Sequence, residues 1–473
     1  MNPTGMEPTG IHSLQQRLHN RHIQLIALGG AIGTGLFLGS AGVLERAGPS
    51  MLLAYAFAGA MVFLIMRFLG EMLVETPVSS SFSYFADRYW GRFAGYFSGW
   101  NTVVLYVLVG MVELSAAGKF VQFWWPTVPG WLTAALGLLA ITGLNLASVR
   151  AYGESEFWFA MVKVVAVLSM IGFGVWLLVA HHGSPGVGLA NLWSQGGFLP
   201  HGVSGLIMSL GLVAFAFGGI EMIGFAAAET RDPSRVIPKA INQIVYRVLL
   251  FYVASSLVLL SLYPWQGLLR QLQAGGGTYS SSPFALIFSV IGDQLAANLL
   301  NLVILSAALS VYNGIVYSTS RLFYGMARQG NAPAFFGVAD RRGVPVRALG
   351  MVSAATAACV LLNYLIPRSV IEVLMSLVTA SLLLLWGVIV FTHLHFRRAM
   401  REAGVRTGFP ALFSPWSNYA CLAFLGLVAA VLLVAPQTRA TVLAIPVWVL
   451  AVWLAYLLRE RLRRAPPVVG GGA

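Results

Sequence analysis

Gly29-Gly30-Ala31-Ile32-Gly33-Thr34-Gly35-Leu36-Phe37-Leu38-Gly39, with Gly42 just beyond, lies in an apolar run that opens near Ile23. Each glycine inside a helix costs about 1 kcal/mol relative to alanine, so six in fourteen positions weaken helical continuity heavily. A second stretch, Phe215-Ala216-Phe217-Gly218-Gly219-Ile220-Glu221, interrupts the middle of the sixth apolar run. Unwound backbone at membrane depth is tolerated only where it is buried in protein or lines a cavity. Gly-interrupted spans at matching places in two halves of a chain point to a transporter's binding site. Close helix packing is the competing explanation, because Gly29 and Gly33, like Gly35 and Gly39, have small-xxx-small spacing. Two clusters five spans apart, in the first and sixth runs, favour the broken-helix reading.

The rest of the chain is consistent with membrane depth. Its 473 residues are 58% apolar and 10% charged, against about 25% charged in a soluble protein. The apolar residues fall in blocks of roughly 20, the length a helix needs to cross the hydrocarbon core. Twelve spans start near Ile23, Met51, Phe93, Trp131, Phe157, Val203, Val245, Ala296, Leu349, Val370, Tyr419 and Val442. The expected fold is an all-α polytopic membrane protein with twelve transmembrane helices; soluble enzyme, disordered tail and secreted disulfide scaffold are excluded. Cys359 and Cys421 fall in apolar blocks, where cysteine acts as a small hydrophobe. The first 22 residues lack the short apolar core and cleavage site of a signal peptide, so the first span is expected to act as an uncleaved signal.

The net charge of +13 is an orientation device. With the N-terminus cytoplasmic, 23 of the 29 Lys and Arg lie on the inner side, among them Arg17, Arg88, Arg231, Lys239, Arg341, Arg397 and Arg464. Five lie outside (Arg46, Lys119, Arg270, Arg368, Arg439), and one, Lys163, lies within a span. This is the positive-inside bias, and it places both termini in the cytoplasm. Nucleic acid is not an expected partner. Trp124, Trp125, Trp158 and Trp193 fall near predicted interfaces and are expected at the aromatic belt.

A helix break has its own chemistry. It leaves free N–H groups at the start of one half-helix and free carbonyls at the end of the other. The amide end accepts a carboxylate and the carbonyl end an ammonium group. A zwitterionic α-amino acid carries both. Its carboxylate is expected on the amides of Gly33, Thr34 and Gly35, and its ammonium on carbonyls around Ala31, Phe215 and Ala216, beside Gly218.

Asn20-Arg21-His22-Ile23-Gln24-Leu25-Ile26-Ala27-Leu28 through Gly33-Thr34-Gly35-Leu36-Phe37 resembles the amino acid transporter family of the amino acid–polyamine–organocation superfamily. Ala47-Gly48-Pro49, Gly70-Glu71-Met72, Glu156-Phe157-Trp158-Phe159 and Glu229-Thr230-Arg231-Asp232-Pro233 continue the resemblance, which runs from about residue 17 to 460. Val104-Leu105-Tyr106-Val107-Leu108-Val109 with Glu113-Leu114 is similar to bacterial aromatic amino acid permeases. So are Asn191-Leu192-Trp193, Gly196-Gly197-Phe198-Leu199-Pro200-His201-Gly202 and Ala307-Ala308-Leu309-Ser310-Val311-Tyr312-Asn313. The resemblance implies a 5+5 inverted-repeat, LeuT-like core with broken helices 1 and 6, plus two extra helices. On that basis the chain divides into a cytoplasmic segment 1–22, repeats 23–180 and 202–398, helices 11–12 at 417–458 and a tail 459–473. It also implies proton-coupled import of phenylalanine, tyrosine and tryptophan by alternating access across a bacterial inner membrane.

Three ionisable groups lie at membrane depth. Lys163 is six residues into the fifth span from Phe157, about 9 Å deep. Snorkelling is the simpler explanation, but the polar run Gly153-Glu154-Ser155-Glu156 beneath it makes that reach difficult. A lysine held away from water can lose and regain a proton at ordinary pH. In similar permeases a lysine here occupies the cation position of sodium-coupled relatives, so Lys163 is the expected proton-coupling group, with carbonyls near Gly30 and Ala31 as partners. Tyr106, Val109, Gly110 and Glu113 share one face of the third span. Glu113 is a candidate for substrate binding, proton carriage or a helix-to-helix hydrogen bond. Glu221 follows the second break, where it can cap the restarted helix; the resemblance links it to gating. Phe215 is a candidate lid or a core residue. Val109, Gly110, Ala116 and Ala117 would leave room for a substrate ring.

Catalytic chemistry is not expected. No HExxH occurs, and none of Lys119, Lys163 and Lys239 is followed by Ser or Thr, so there is no Walker A loop. His393 and His395 are two apart on a helix and do not face one another, which disfavours a metal pair. No cofactor is expected; the expected partners are an amino acid, protons and the bilayer. The alternatives are a permease for another neutral or basic amino acid such as histidine or proline, and a non-transporting amino acid sensor of the same fold.

Overall fold

Long helices follow from the apolar blocks, and the computed structural model of the chain has no strand among its described residues. These are 32–78, 81–180, 186–226, 232–275, 278–279, 281–290, 293–366 and 370–464. Gly29, Gly30, Ala31, the Asn20–Leu28 stretch and Glu229-Thr230-Arg231 lie outside them. The principal helices are α1 (Gly39–Ala47), α2 (Met51–Glu75), α3 (Arg92–Gln122), α4 (Gly130–Ala147), α5 (Val149–Ala180) and α6 (Gly202–Ala216). After these come α7 (Pro233–Leu262), α8 (Gln294–Arg328), α9 (Val346–Leu365), α10 (Val370–Glu402), α11 (Trp416–Val434) and α12 (Pro436–Arg464).

Eleven stretches among the described residues are long and apolar enough to cross a membrane. One of them, Thr34–Glu75, is 42 residues long and contains both α1 and α2, joined by the turn Gly48–Ser50. Helices α5 and α7 begin before their apolar blocks, at Val149 and Pro233 rather than Phe157 and Val245. The first turns of α7 carry Arg235, Lys239, Asn242 and Gln243, a polar helical extension that an apolar-block reading passes over. Its start has a physical cause: Pro233 takes the first helical position, where its missing N–H costs nothing.

Burial ranks the helices. In α3, 83% of the most apolar window is buried within the protein, against 6% for α12. Helix α3 is therefore the central post, packed on α8 and α10, and α12 faces outward. Trp125, Trp158 and Trp193 are exposed.

One buried charge fastens the periphery to the core. Glu71, wholly buried on α2, accepts hydrogen bonds from His393 Nε2 (2.9 Å), Arg397 Nη1 (2.7 Å), Thr407 Oγ1 (2.5 Å) and the Ala411 amide (2.8 Å). A carboxylate taken from water needs this many donors. Asn418 Nδ2 lies 2.9 Å from His393 Nδ1, so an imidazole carrying its proton on Nε2 satisfies both neighbours. The Phe68 ring stacks on the same imidazole at 4.7 Å. The chain between α10 and α11 is thereby tied to α2.

Candidate functional site

Both glycine clusters break their helices. In the first, the single turn Thr34–Phe37 is separated from α1 by Leu38, and no side chain caps it at Gly33. In the second, α6 stops at Ala216, and residues 217–219 form a turn before a short 3-10 stretch, Ile220–Met222. Gly219 sits at φ 99°, a left-handed conformation that favours glycine. The two breaks touch: a Cβ on Gly35 would lie 2.5 Å from the Ala216 Cα, so backbone meets backbone only because residue 35 has no side chain.

A cavity of about 20 Å³, the room of a single water, lies between them. Its lining includes Gly33, Gly35, Glu113, Phe215, Ala216 and Gly218. Val109, Val311 and Val378 supply apolar walls. Tyr106, Gly110 and Ala117 are buried on α3 but are not part of that lining. Gly110 instead lets the Tyr312 ring of α8 approach, since a Cβ there would stand 3.0 Å from two ring carbons. Ala31 lies outside the described residues.

The exposed ends of the backbone are already engaged by side chains. Glu113 accepts from the Thr34 amide at 3.4 Å and from the Thr34 hydroxyl. Glu221 accepts the Gly219 N–H with both oxygens, at 3.1 and 3.2 Å, and the Tyr106 hydroxyl points to it at 3.4 Å. The Ala216 carbonyl accepts from Tyr252 Oη at 2.7 Å, and the Phe215 carbonyl takes the Gly218 amide at 2.9 Å. Tyr252 belongs to a π-helical segment of α7, Val248–Ala254, a distortion that recurs near functional sites. Nothing in the apolar pattern distinguishes Tyr252 from an ordinary core tyrosine.

A larger cavity of about 430 Å³ lies toward the C-terminal end of α1, lined among others by Glu45, Arg46, Tyr279, Glu372 and Met375. A Cβ on Gly39 would lie 3.7 Å from the Phe215 ring and 3.6 Å from Met375 Cε. Phe215, which lines the small cavity, and Met375, which lines the larger one, thus both pack beside Gly39.

Lys163 is fully buried, and its Nζ donates to Ser310 Oγ at 2.9 Å. Ser310 donates onward to Glu156 Oε1 at 2.7 Å. Asn313 Nδ2 reaches Glu156 Oε2 at 3.2 Å, and Asn145 Nδ2 donates to Asn313 Oδ1 at 2.8 Å. Glu156 and Lys163 are seven apart on α5, hence on one face. In sequence Glu156 belongs to the polar run below Lys163 and opens the Glu156-Phe157-Trp158-Phe159 motif, neither of which points to α8; the Ser310 and Asn313 contacts come from that helix, which also places Val311 against Gly33. Gly30, with Ala31 an expected partner of Lys163, is likewise outside the described residues. Among the described residues, no group of three or more His, Cys, Asp and Glu could hold a metal.

Residues 22–466 match the family described as amino acid permease. Over 452 residues the chain is 52% identical to the aromatic amino acid transport protein AroP of Escherichia coli strain K12, covering 96% of this chain and 97% of that protein. AroP of Salmonella typhimurium strain LT2 is 52% identical over 448 residues, 95% of this chain and 96% of its own. An uncharacterized amino acid permease, YtnA of Bacillus subtilis strain 168, is 41% identical over 446 residues, 94% of both chains. With eleven candidate spans and a family match over nearly its whole length, the chain is a multi-pass membrane protein of the amino acid permease family.

Proposed function

We propose that this permease imports aromatic amino acids by proton-coupled symport across a bacterial inner membrane. The observation that carries the substrate class is the 52% identity, across 96% of the chain, with a protein described as an aromatic amino acid transporter. Its relatives are transporters, and it is no enzyme.

The fold reading behind this is a twelve-span bundle with both termini inside and inverted repeats at 23–180 and 202–398. Supporting it, 42 residues of helix at 1.5 Å each would be about 63 Å long, twice the hydrocarbon thickness. The Thr34–Glu75 stretch therefore counts as two crossings. The substrate is seated between the breaks, with its carboxylate on the amides of Gly33 and Gly35 and its ring among Val109, Val311 and Val378. A cavity of about 20 Å³ takes no aromatic ring, so loading requires the two broken helices to part. Phe215 with Met375 closes the site from the larger cavity, and that opening is the alternating-access step. Lys163, through Ser310 and Glu156, carries the proton.

Competition tests the substrate class: uptake of labelled phenylalanine into proteoliposomes against excess unlabelled tyrosine, tryptophan, histidine, proline or lysine. The reading expects inhibition by the aromatic competitors alone. Histidine or proline blocking uptake as strongly as tyrosine would overturn it.

A further inference from the structure

A large apolar recess lies away from the broken helices. It is a groove of about 580 Å³ between the start of α3, the middle of α10 and α12, with Trp90, Arg92, Phe97, Gly387, Phe391 and Tyr456 in its lining. A Cβ on Gly387 would meet nothing within 4 Å, so this glycine forms an open floor. Trp90 and Phe391, each about 41% exposed, have ring centroids 5.4 Å apart, and His395 stacks on Trp90 at 6.0 Å. A tryptophan in such a place belongs to the headgroup boundary.

One end of the groove is cationic. Arg92 opens the 31-residue helix α3, and no side chain caps that helix at Gly91. Its first-turn amides carry the positive end of the helix dipole. Arg92 itself is exposed and forms no ion pair or hydrogen bond among the described residues. An apolar trough of ligand size that ends on an unpaired guanidinium and an uncapped helix start calls for an amphiphile with an anionic head. Helix α12, which forms one wall, is the least buried of the candidate spans, with 6% of its most apolar window covered by the rest of the protein.

We propose that this groove binds an anionic phospholipid, with its phosphate at Arg92 and the first turn of α3 and an acyl chain laid across Gly387. That its cationic end faces the inner headgroups rests on the orientation proposed above. The two helices the lipid would wedge, α3 and α10, supply Val109, Glu113 and Val378 to the central cavity. The lipid therefore sets the spacing of two of the site's walls.

Native mass spectrometry of the purified full-length chain, equilibrated with phosphatidylglycerol or phosphatidylcholine, tests this without any transport step. A failed substrate assignment therefore leaves the result readable. The expected result is preferential retention of phosphatidylglycerol. Arg92→Gln, at an exposed position, lowers that preference roughly tenfold. Gly387→Leu fills the open floor and displaces both lipids. Equal retention of the two lipids by the unaltered protein would overturn the anionic headgroup, and unchanged retention by Gly387→Leu would overturn the location. A dimer that Gly387→Leu dissolves would identify the occupant as a second copy and overturn the proposal.

Discussion

Glu113 of α3 holds Thr34 of the first helix break by both its backbone amide and its hydroxyl. The amide end of a broken helix is where a substrate carboxylate is expected, and the carboxyl group of Glu113 already stands there. A substrate carboxylate that takes the Thr34 N–H must displace Glu113 from it.

Shortening residue 113 should relieve that competition. Glu113→Ala leaves the Thr34 amide free for the substrate carboxylate, so phenylalanine binding is expected to tighten by roughly tenfold. Equilibrium binding to purified protein reads this directly. Weaker binding in Glu113→Ala would place the Glu113 carboxyl among the groups that hold the substrate.

The Lys163–Ser310–Glu156 chain predicts a separable defect. Lys163→Met and Glu156→Gln should abolish accumulation driven by a proton gradient while counterflow exchange persists. Each single change removes one end of a buried, hydrogen-bonded charge chain and should cost about 3 kcal/mol of stability. The double variant should recover much of that stability and stay uncoupled. Additive destabilisation in the double-mutant cycle would show that the two residues do not act as a pair.

Backbone contact between the breaks makes Gly35 the least substitutable glycine of the first cluster among those described. In Gly35→Ala the new methyl group would stand 2.5 Å from the Ala216 Cα, and backbone cannot step aside as a flexible side chain can. Initial uptake should fall by two orders of magnitude or more. Gly426→Ala, whose Cβ meets nothing within 4 Å, is the matched control and should transport normally.

The Glu71 hub is a stability element. Glu71→Ala strands His393, Arg397 and Thr407 together, at a cost of about 3 kcal/mol or more. The apparent unfolding temperature in detergent should drop by about 5 °C or more. An unchanged melting curve would show the hub to be dispensable.

What could be read from the chain alone divides by physical cause. The long apolar helices follow from the apolar blocks, and the breaks follow from Gly33, Gly35, Gly218 and Gly219, because glycine costs in helices are local. Polar helix extensions such as 233–244 carry no hydropathy signal. Partners across helices carry still less: nothing near Lys163 in sequence points to Ser310, 147 residues on. Tyr252 is legible only once the π-helical segment of α7 brings its hydroxyl to the Ala216 carbonyl. Likewise, the motif Gly70-Glu71-Met72 marks a residue of note, but only packing reveals a hub of donors around it.

The central claim is proton-coupled aromatic import. Its most direct test is labelled phenylalanine uptake into proteoliposomes under an imposed inward proton gradient, with and without a protonophore. The account predicts uphill accumulation that the protonophore abolishes and that Lys163→Met lacks. Accumulation that survives the protonophore, or that Lys163→Met retains, would contradict it.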